Sequence, residues 1–207
     1  MNHPQYRDQD PIGNLLLYLN TRMQLSPAFN PAIRPMLIDQ TLIQKLQVAR
    51  PAEVLSTAYW LDTAYACSYK MLPDKDGIPV KKISEIFPPK SVLLDADGFF
   101  NNIPGTDFIE IVKDSTIVPF SRDSFATLKL EAPEAHELAN CIMAELQKQS
   151  KTHIALLGLK GDQRYHELIH IYGIKILQCF SQKSLASYLN YSPEHLNRLI
   201  SGDHGTG

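Results

Sequence analysis

Three residues of the segment "HELIHIYG", His166 to Gly173, have the types and spacing of a metal hydrolase. In an HExxH motif, two histidines one helical turn apart bind zinc and the intervening glutamate acts as general base. His166, Glu167 and His170 fill those places, and Gly173 fits the extended form HExxHxxGxxH. The third ligand of that form falls on Ile176, which has no donor atom, so the constellation is incomplete. Glu194 lies downstream at a spacing that some zinc peptidases use. A zinc hydrolase is thus one reading, and an exposed histidine pair on a linker helix is the other. No Walker-type loop, GxGxxG or GxSxG occurs, and no cysteine has a recognisable catalytic partner. The expectation is a protein that is not an enzyme, with no cofactor and no metal site.

A second constellation lies in "SQKSLASYLNYSPEHLNRLI", Ser181 to Ile200. Ser181 is suited to N-cap a helix whose apolar face is Leu185, Ala186 and Leu189, and Ala186 is small enough for a second helix to come close. Asn190 tolerates the left-handed backbone that ends a helix sharply. Ser192 then caps a new helix with Pro193 at its first position, Glu194 at the positive end of its dipole, and Leu196, Leu199 and Ile200 as its buried side. Two short helices at a fixed angle describe a helix-turn-helix, whose second helix enters the DNA major groove.

The run "QCFSQKSLASYLNYSPEHLNRLI" resembles the C-terminal helix-turn-helix of Crp/Fnr-family bacterial transcription regulators. Gln182, Lys183, Ala186, Ser187, Tyr188, Leu189, Pro193, Glu194, Leu196 and Arg198 match the pattern of one branch. "LLLYLN", "YWLDTAYACSYKMLPDKDG", "DSTIVPFSRDSF" and "RYHELI" are similar to family segments too, so the resemblance spans nearly the whole chain. It implies a β-roll sensor, dimerisation through a long helix, and binding to pseudo-palindromic double-stranded DNA. It also implies an unidentified small-molecule effector and RNA polymerase as candidate partners. The base-contacting positions fall on Glu194, suited to accept from a cytosine amino group, and Arg198, suited to donate twice to a guanine edge. Lys183, Ser192 and His195 are expected at phosphates. Helix-dipole stabilisation is the other reading of Glu194 at the start of the helix, where both can hold, and of Arg198 near its end, where the DNA role is preferred.

The rest of the 207-residue chain must hold these residues in place. Hydrophobic residues at 44% and charged ones at 20% fit a globular protein with a real core. No apolar run is long enough to cross a bilayer, and residues 1–10 lack signal-peptide character, so a cytoplasmic location is expected. Cys67, Cys141 and Cys179 are odd in number and widely spaced, which argues for buried thiols and against a disulfide framework. The net charge of −2 gives no global attraction to nucleic acid, so DNA binding needs a local basic face. That face is thin, with Lys183 and Arg198 set against Glu194 and with Asp203 just beyond.

Residues 11–40 predict two short helices broken by Pro27, Pro31 and Pro35. From Thr41, "LIQKLQVA", "EVLSTAYWLDTAYACSY" and "IPVKKISEIF" alternate as strands, with a hairpin at Pro73 to Gly77, followed by "TDFIEIVKD" and "STIVPF". Many short strands in this stretch favour a β-roll or jelly-roll barrel, with Trp60, Tyr59 and Tyr65 as core or pocket lining. A helix follows from Ser121, and after Pro133 a long one with a stripe of Leu138, Ile142, Leu146, Ile154 and Leu157. Such a stripe suits a core face and, in part, a pairing face for a second copy. The expected class is α+β, with a sensor domain over residues 1–132, a dimerisation helix over 133–158 and a helix-turn-helix domain over 159–207.

The sensor half and the C-terminal end both depart from the family. Its cyclic-nucleotide binders hold the phosphate with a Gly-Glu pair and an Arg followed by Ser or Thr. The corresponding stretch here, "FPPKSVLLDADGFFNNIPGTDF", has no Arg, carries Asp95, Asp97 and Asp107, and offers only Lys90 as a cation, which argues against cyclic AMP or cyclic GMP. The N-terminal cysteine cluster of iron-sulfur members is missing as well. After the second helix only "SGDHGTG" remains, so a β-hairpin wing is expected to be short or missing and phosphate contacts few. A degenerate ligand-binding or protein-interaction module without DNA binding is therefore the main alternative.

Overall fold

The computed structural model describes residues 6–203 apart from 8 and 75. The chain forms two compact units, one of Met1–Ala66 with Phe87–Gln147 and the other of Cys67–Ile86 with Lys148–Gly207.

In the first unit, Asp10 caps helix α1 (Pro11–Arg22) by accepting the Gly13 N–H at 2.8 Å, with Pro11 at the first position. Helix α2 (Phe29–Ile33) and a 3-10 turn (Arg34–Met36) follow. The run from Thr41 is not one strand: β1 (Gln40–Leu42) and β2 (Leu46–Ala49) join different partners. A four-stranded antiparallel sheet has the order β1, β8 (Ser115–Ser121), β3 (Thr57–Leu61), β6 (Ser91–Leu93), with Trp60 opposite Val92 and Val118. β2 pairs antiparallel with β7 (Phe108–Ile111).

The two-residue period of β3 divides the core. Leu61, Leu93 and Ile117 pack with Ala49, Ile109 and Ile111 inside the roll. Trp60, Val92 and Val118 face the other way, onto α1, α2 and the helix α4 (Arg122–Glu131). Tyr65 is buried, as is Trp60, while Tyr59 is half-buried. Ser121 caps α4 through the Ser124 N–H, as its position before the helical run predicts. The short strand β6 and the helix α3 (Ala96–Asn101) lie where no element was expected.

The second unit holds the hairpin of β4 (Ala66–Pro73) and β5 (Pro79–Phe87). At its turn the Asp74 carboxylate accepts the Asp76 and Ile78 N–H groups, both at 3.0 Å, and Gly77 takes a φ of 77°. The expected turn at Pro73 to Gly77 is thus built by an Asx bond and one left-handed glycine. The unit continues with α6 (Gln163–Tyr172), α7 (Ile176–Cys179), α8 (Gln182–Leu189) and α9 (Pro193–Asp203).

Helix α5 (Ala135–Gly158) runs through 24 residues. Of its expected stripe, Leu138 is buried and Ile154 is 71% exposed; Leu156, outside the stripe, is buried as well. In its C-terminal half the inward positions are Gln149, His153 and Leu156, because Gln149 donates to the Ile86 carbonyl at 2.7 Å and His153 packs on α8. A polar residue at two of these three positions hides the periodicity. None of the three cysteines is in a disulfide; only Cys67 is fully buried, while Cys141 and Cys179 are half-buried, which corrects the expectation for two of them. No helix of the described residues is long and apolar enough to cross a membrane.

Candidate nucleic-acid interface

The turn between α8 and α9 is set by local chemistry. Ser181 caps α8 by accepting the Ser184 N–H at 3.2 Å. Asn190 is left-handed, with φ 57° and ψ 45°. Its N–H reaches the Ser187 carbonyl at 3.2 Å while the Tyr191 N–H reaches that of Ala186 at 2.8 Å, the paired bonds of a Schellman ending. Ser192 then caps α9 by accepting the His195 N–H at 3.2 Å. Leu185, Ala186, Leu189 and Leu196 are fully buried, and Leu199 and Ile200 are half-buried. Tyr188 and Ser184 are buried too, although neither was expected to be.

Lys183, Ser192, Glu194 and Arg198 are exposed, and His195 is half-exposed. The Glu194 carboxyl is held below its ordinary range by its own backbone N–H and by the Ser192 hydroxyl. Arg198 donates to His195 Nδ1 at 2.8 Å, and His195 Nε2 lies 3.3 Å from an Asp162 carboxylate oxygen. Since a guanidinium can only donate, Nδ1 is the acceptor and Nε2–H points at Asp162. Lys183 lies 3.8 Å from Asp74 at the hairpin turn. Asp162 and Asp74, invisible as partners in the sequence, thus flank the two ends of the basic face. α9 ends at Asp203, no strand follows it among the described residues, and 204–207, the greater part of the tail expected to lack a wing, lie outside them.

Sequence reasoning missed the residues that hold this pair of helices. Arg164 Nε donates to the Leu159 carbonyl at 2.8 Å and Nη1 to that of Leu189 at 3.0 Å. Tyr191 donates its hydroxyl to the Gly161 carbonyl, with the Arg164 guanidinium 5.8 Å from its ring centre. His153 stacks on Tyr188 at 3.9 Å and 8° from parallel, and its Nε2–H donates to the Tyr188 carbonyl at 3.2 Å. The Tyr188 and Tyr172 hydroxyls meet at 2.9 Å, and burial raises the pKa of both above the ordinary phenol value.

Burial also lowers the His153 pKa below 6.5, against the pull of backbone bonds to Tyr188 and Ser84. The folded chain therefore binds this proton less readily than the unfolded one. The contribution is complete above pH 6.5 and is lost as pH falls through the lower folded value. Nearby Glu85, bonded to Ser150 at 3.0 Å, works oppositely, because burial raises its pKa and its protonation favours the fold. On going from about pH 7 to about pH 5, His153→Phe should lose less stability than the natural chain, by at most about 1.4 kcal/mol per pH unit. Urea midpoints at the two pH values read this directly.

His166 and His170 are both exposed on α6, and Ile176, at the third-ligand position, is fully buried. Among the described residues no group of three or more His, Cys, Asp or Glu is placed to hold a metal ion.

In the first unit, Lys90 is not a free cation. Its ammonium pairs with Asp62, whose side chain is 4% exposed and also accepts from Asn14 at 2.9 Å and Trp60 Nε1 at 3.3 Å. An arginine does reach the stretch that lacks one, from 24 residues away: Arg122 donates to the Gly98 carbonyl and, at 2.8 Å, to Asn102 Oδ1, so its guanidinium closes the end of α3.

No protein-family profile and no curated sequence matches the chain. Solved structures do. FixK2 from Bradyrhizobium japonicum superposes with a TM-score of 0.60 at 19% identity, over 83% of this chain and 86% of that one. The c-di-GMP-responsive global regulator CLP of Xanthomonas campestris gives 0.59 at 12% identity, over 87% and 92%. The fold is that of the Crp/Fnr regulators. A CRP-family transcriptional regulator from Thermus thermophilus matches at 0.55 and 13%, over 80% and 83%. The α+β class and the order of β-roll, long helix and helix-turn-helix expected from the sequence are those of this fold. Identities this low carry the fold and leave the chemistry to the residues.

Proposed function

We propose that the chain is a DNA-binding transcriptional regulator that acts as a homodimer on pseudo-palindromic sites. The observation that carries this reading is the α8–α9 pair, whose Schellman turn at Asn190 fixes a second helix with Ser192, Glu194 and Arg198 all exposed. α9 is the recognition helix. Arg198 reads a guanine edge, Glu194 contributes at a cytosine, and Lys183, Ser192 and His195 meet phosphates. Residues 133–158, which hold α5, form the dimerisation helix, and its exposed Ile154 fits a pairing face for a second copy. The effector is not a cyclic nucleotide, because Lys90 is neutralised by Asp62 and Arg122 is committed to α3. RNA polymerase is the expected macromolecular partner on DNA, the chain works in the cytoplasm, and it is not an enzyme.

One observation favours an interaction module instead: Lys183 and His195 already face carboxylates, and the net charge is −2. Selection of bound sequences from fragmented genomic DNA at low and moderate salt decides between them. A regulator should enrich a pseudo-palindrome with half-sites about one helical turn apart. Arg198→Ala should cost about 1–3 kcal/mol per half-site and relax specificity at the base it reads. A well-folded protein that enriches nothing at either salt speaks for the interaction module.

A further inference from the structure

Between the outer face of the β1-β8-β3-β6 sheet and the helices that cover it lies an apolar cavity of about 90 Å³. Helices α1, α2, α3, α4 and α5 and strands β3, β6 and β8 all contribute to its wall. Every described lining residue is apolar. The only side-chain polar atom among them, Trp60 Nε1, already donates to Asp62. Its lining includes small residues, Ala58 on β3 and Ala135 and Ala139 on α5, together with the rings of Phe99, Phe100 and Phe125.

We propose that this cavity is a binding site for a small, uncharged, apolar molecule of the size of a light hydrocarbon ring or a short branched alkyl group. Close-packed interiors hold few voids larger than a water, so a space of this size is unusual unless something occupies it. Water is a poor occupant, because no lining group is left to bond it. The same argument excludes anions and sugars, whose polar atoms would be stranded. An apolar cavity of about 150 Å³ stays dry and takes up benzene or xenon, and the present one is smaller by less than half. Entry is provided by Phe100, which lines the cavity yet is 40% exposed and packs edge-on against Phe99 and Phe125. An outward turn of that ring opens the mouth and enlarges the space. The site lies on the opposite face of the sheet from the roll interior, where Leu61, Leu93 and Ile117 point. Its occupancy does not depend on DNA binding.

Trp60 is the chain's only tryptophan and lines the cavity, so its emission is a local reporter. The test equilibrates the purified full chain with xenon at increasing pressure, following the xenon chemical shift and Trp60 emission, with benzene as competitor. Both signals should saturate together, benzene should reverse them, and Ala139→Leu, which fills the cavity from α5, should abolish them. Ala58→Val fills it from the sheet if Ala139→Leu does not fold. A xenon shift that stays linear with pressure while Trp60 emission is unmoved overturns the proposal. So does a saturable response that survives unchanged in a folded filled variant.

Discussion

Replacing Asp62 by alanine should destabilise the β-roll unit by about 2–3 kcal/mol, the cost of leaving buried donors without their acceptor. Its carboxylate, almost entirely buried, gathers Lys90, the Asn14 amide and the Trp60 indole N–H. Asn14 in turn exchanges two 2.7 Å bonds with the backbone of Arg7, so the network ties the segment before α1 to strand β3. Removing the acceptor strands an ammonium and two donors at once. Removing both charges, with Asp62→Asn and Lys90→Met together, should recover most of the loss, because the desolvation of the pair disappears with the pair. Urea unfolding of the three proteins gives the answer. A cost below about 1 kcal/mol, the range of an exposed ion pair, would show that Asp62 does not hold Lys90 and would return Lys90 to the cations available to an anionic effector.

How much of this was legible in the sequence depends on the range of the interactions that decide each feature. The helix-turn-helix could be read closely because caps and turns are local. Ser181, Asn190, Ser192 and Pro193 each act within a helical turn or so of themselves, and the structure has each in its expected role. The hairpin at Asp74 and Gly77 was legible for the same reason. α3 was not, because six residues with Asp97, Gly98 and two adjacent phenylalanines carry no helical stripe. It ends on the left-handed Asn102 and is tied by Arg122 from beyond two strands, neither of which composition reveals.

The phase of α5 illustrates a different limit. Periodicity identifies an apolar face only when apolar residues fill it, and here His153 and Gln149 occupy inward positions because their polar atoms find backbone carbonyls at Tyr188 and Ile86. Ile154, in the apolar stripe, then stands exposed. The engagement of the candidate DNA contacts was equally hidden. Lys183 and Asp74 are far apart in the chain, and only the fold brings the hairpin turn to within ion-pair distance of α8.

The second large effect is expected at Arg164, which contacts no candidate ligand. Leu189 is the last residue of α8, so its carbonyl has no partner within the helix and lies at the negative end of the dipole. The Arg164 fork satisfies it and the Leu159 carbonyl together, one residue before the turn that aims α9. Hydrogen bonds to a charged group contribute about 1.5–3 kcal/mol each, and the partial exposure of Arg164 reduces that sum. Arg164→Ala should therefore cost about 2–3 kcal/mol in unfolding free energy. DNA affinity should fall with it, because Asn190 and Tyr191 lose the anchor beside them. Arg164→Lys should rescue little, since an ammonium cannot span two carbonyls held by a planar fork. The contrast with Arg198→Ala is the informative one. Loss of Arg198 should weaken DNA binding with the urea midpoint unchanged, whereas loss of Arg164 should move both. If Arg164→Ala left DNA affinity intact while lowering the midpoint, the orientation of α9 would have to be set by the buried contacts of Leu189 and Leu196 alone.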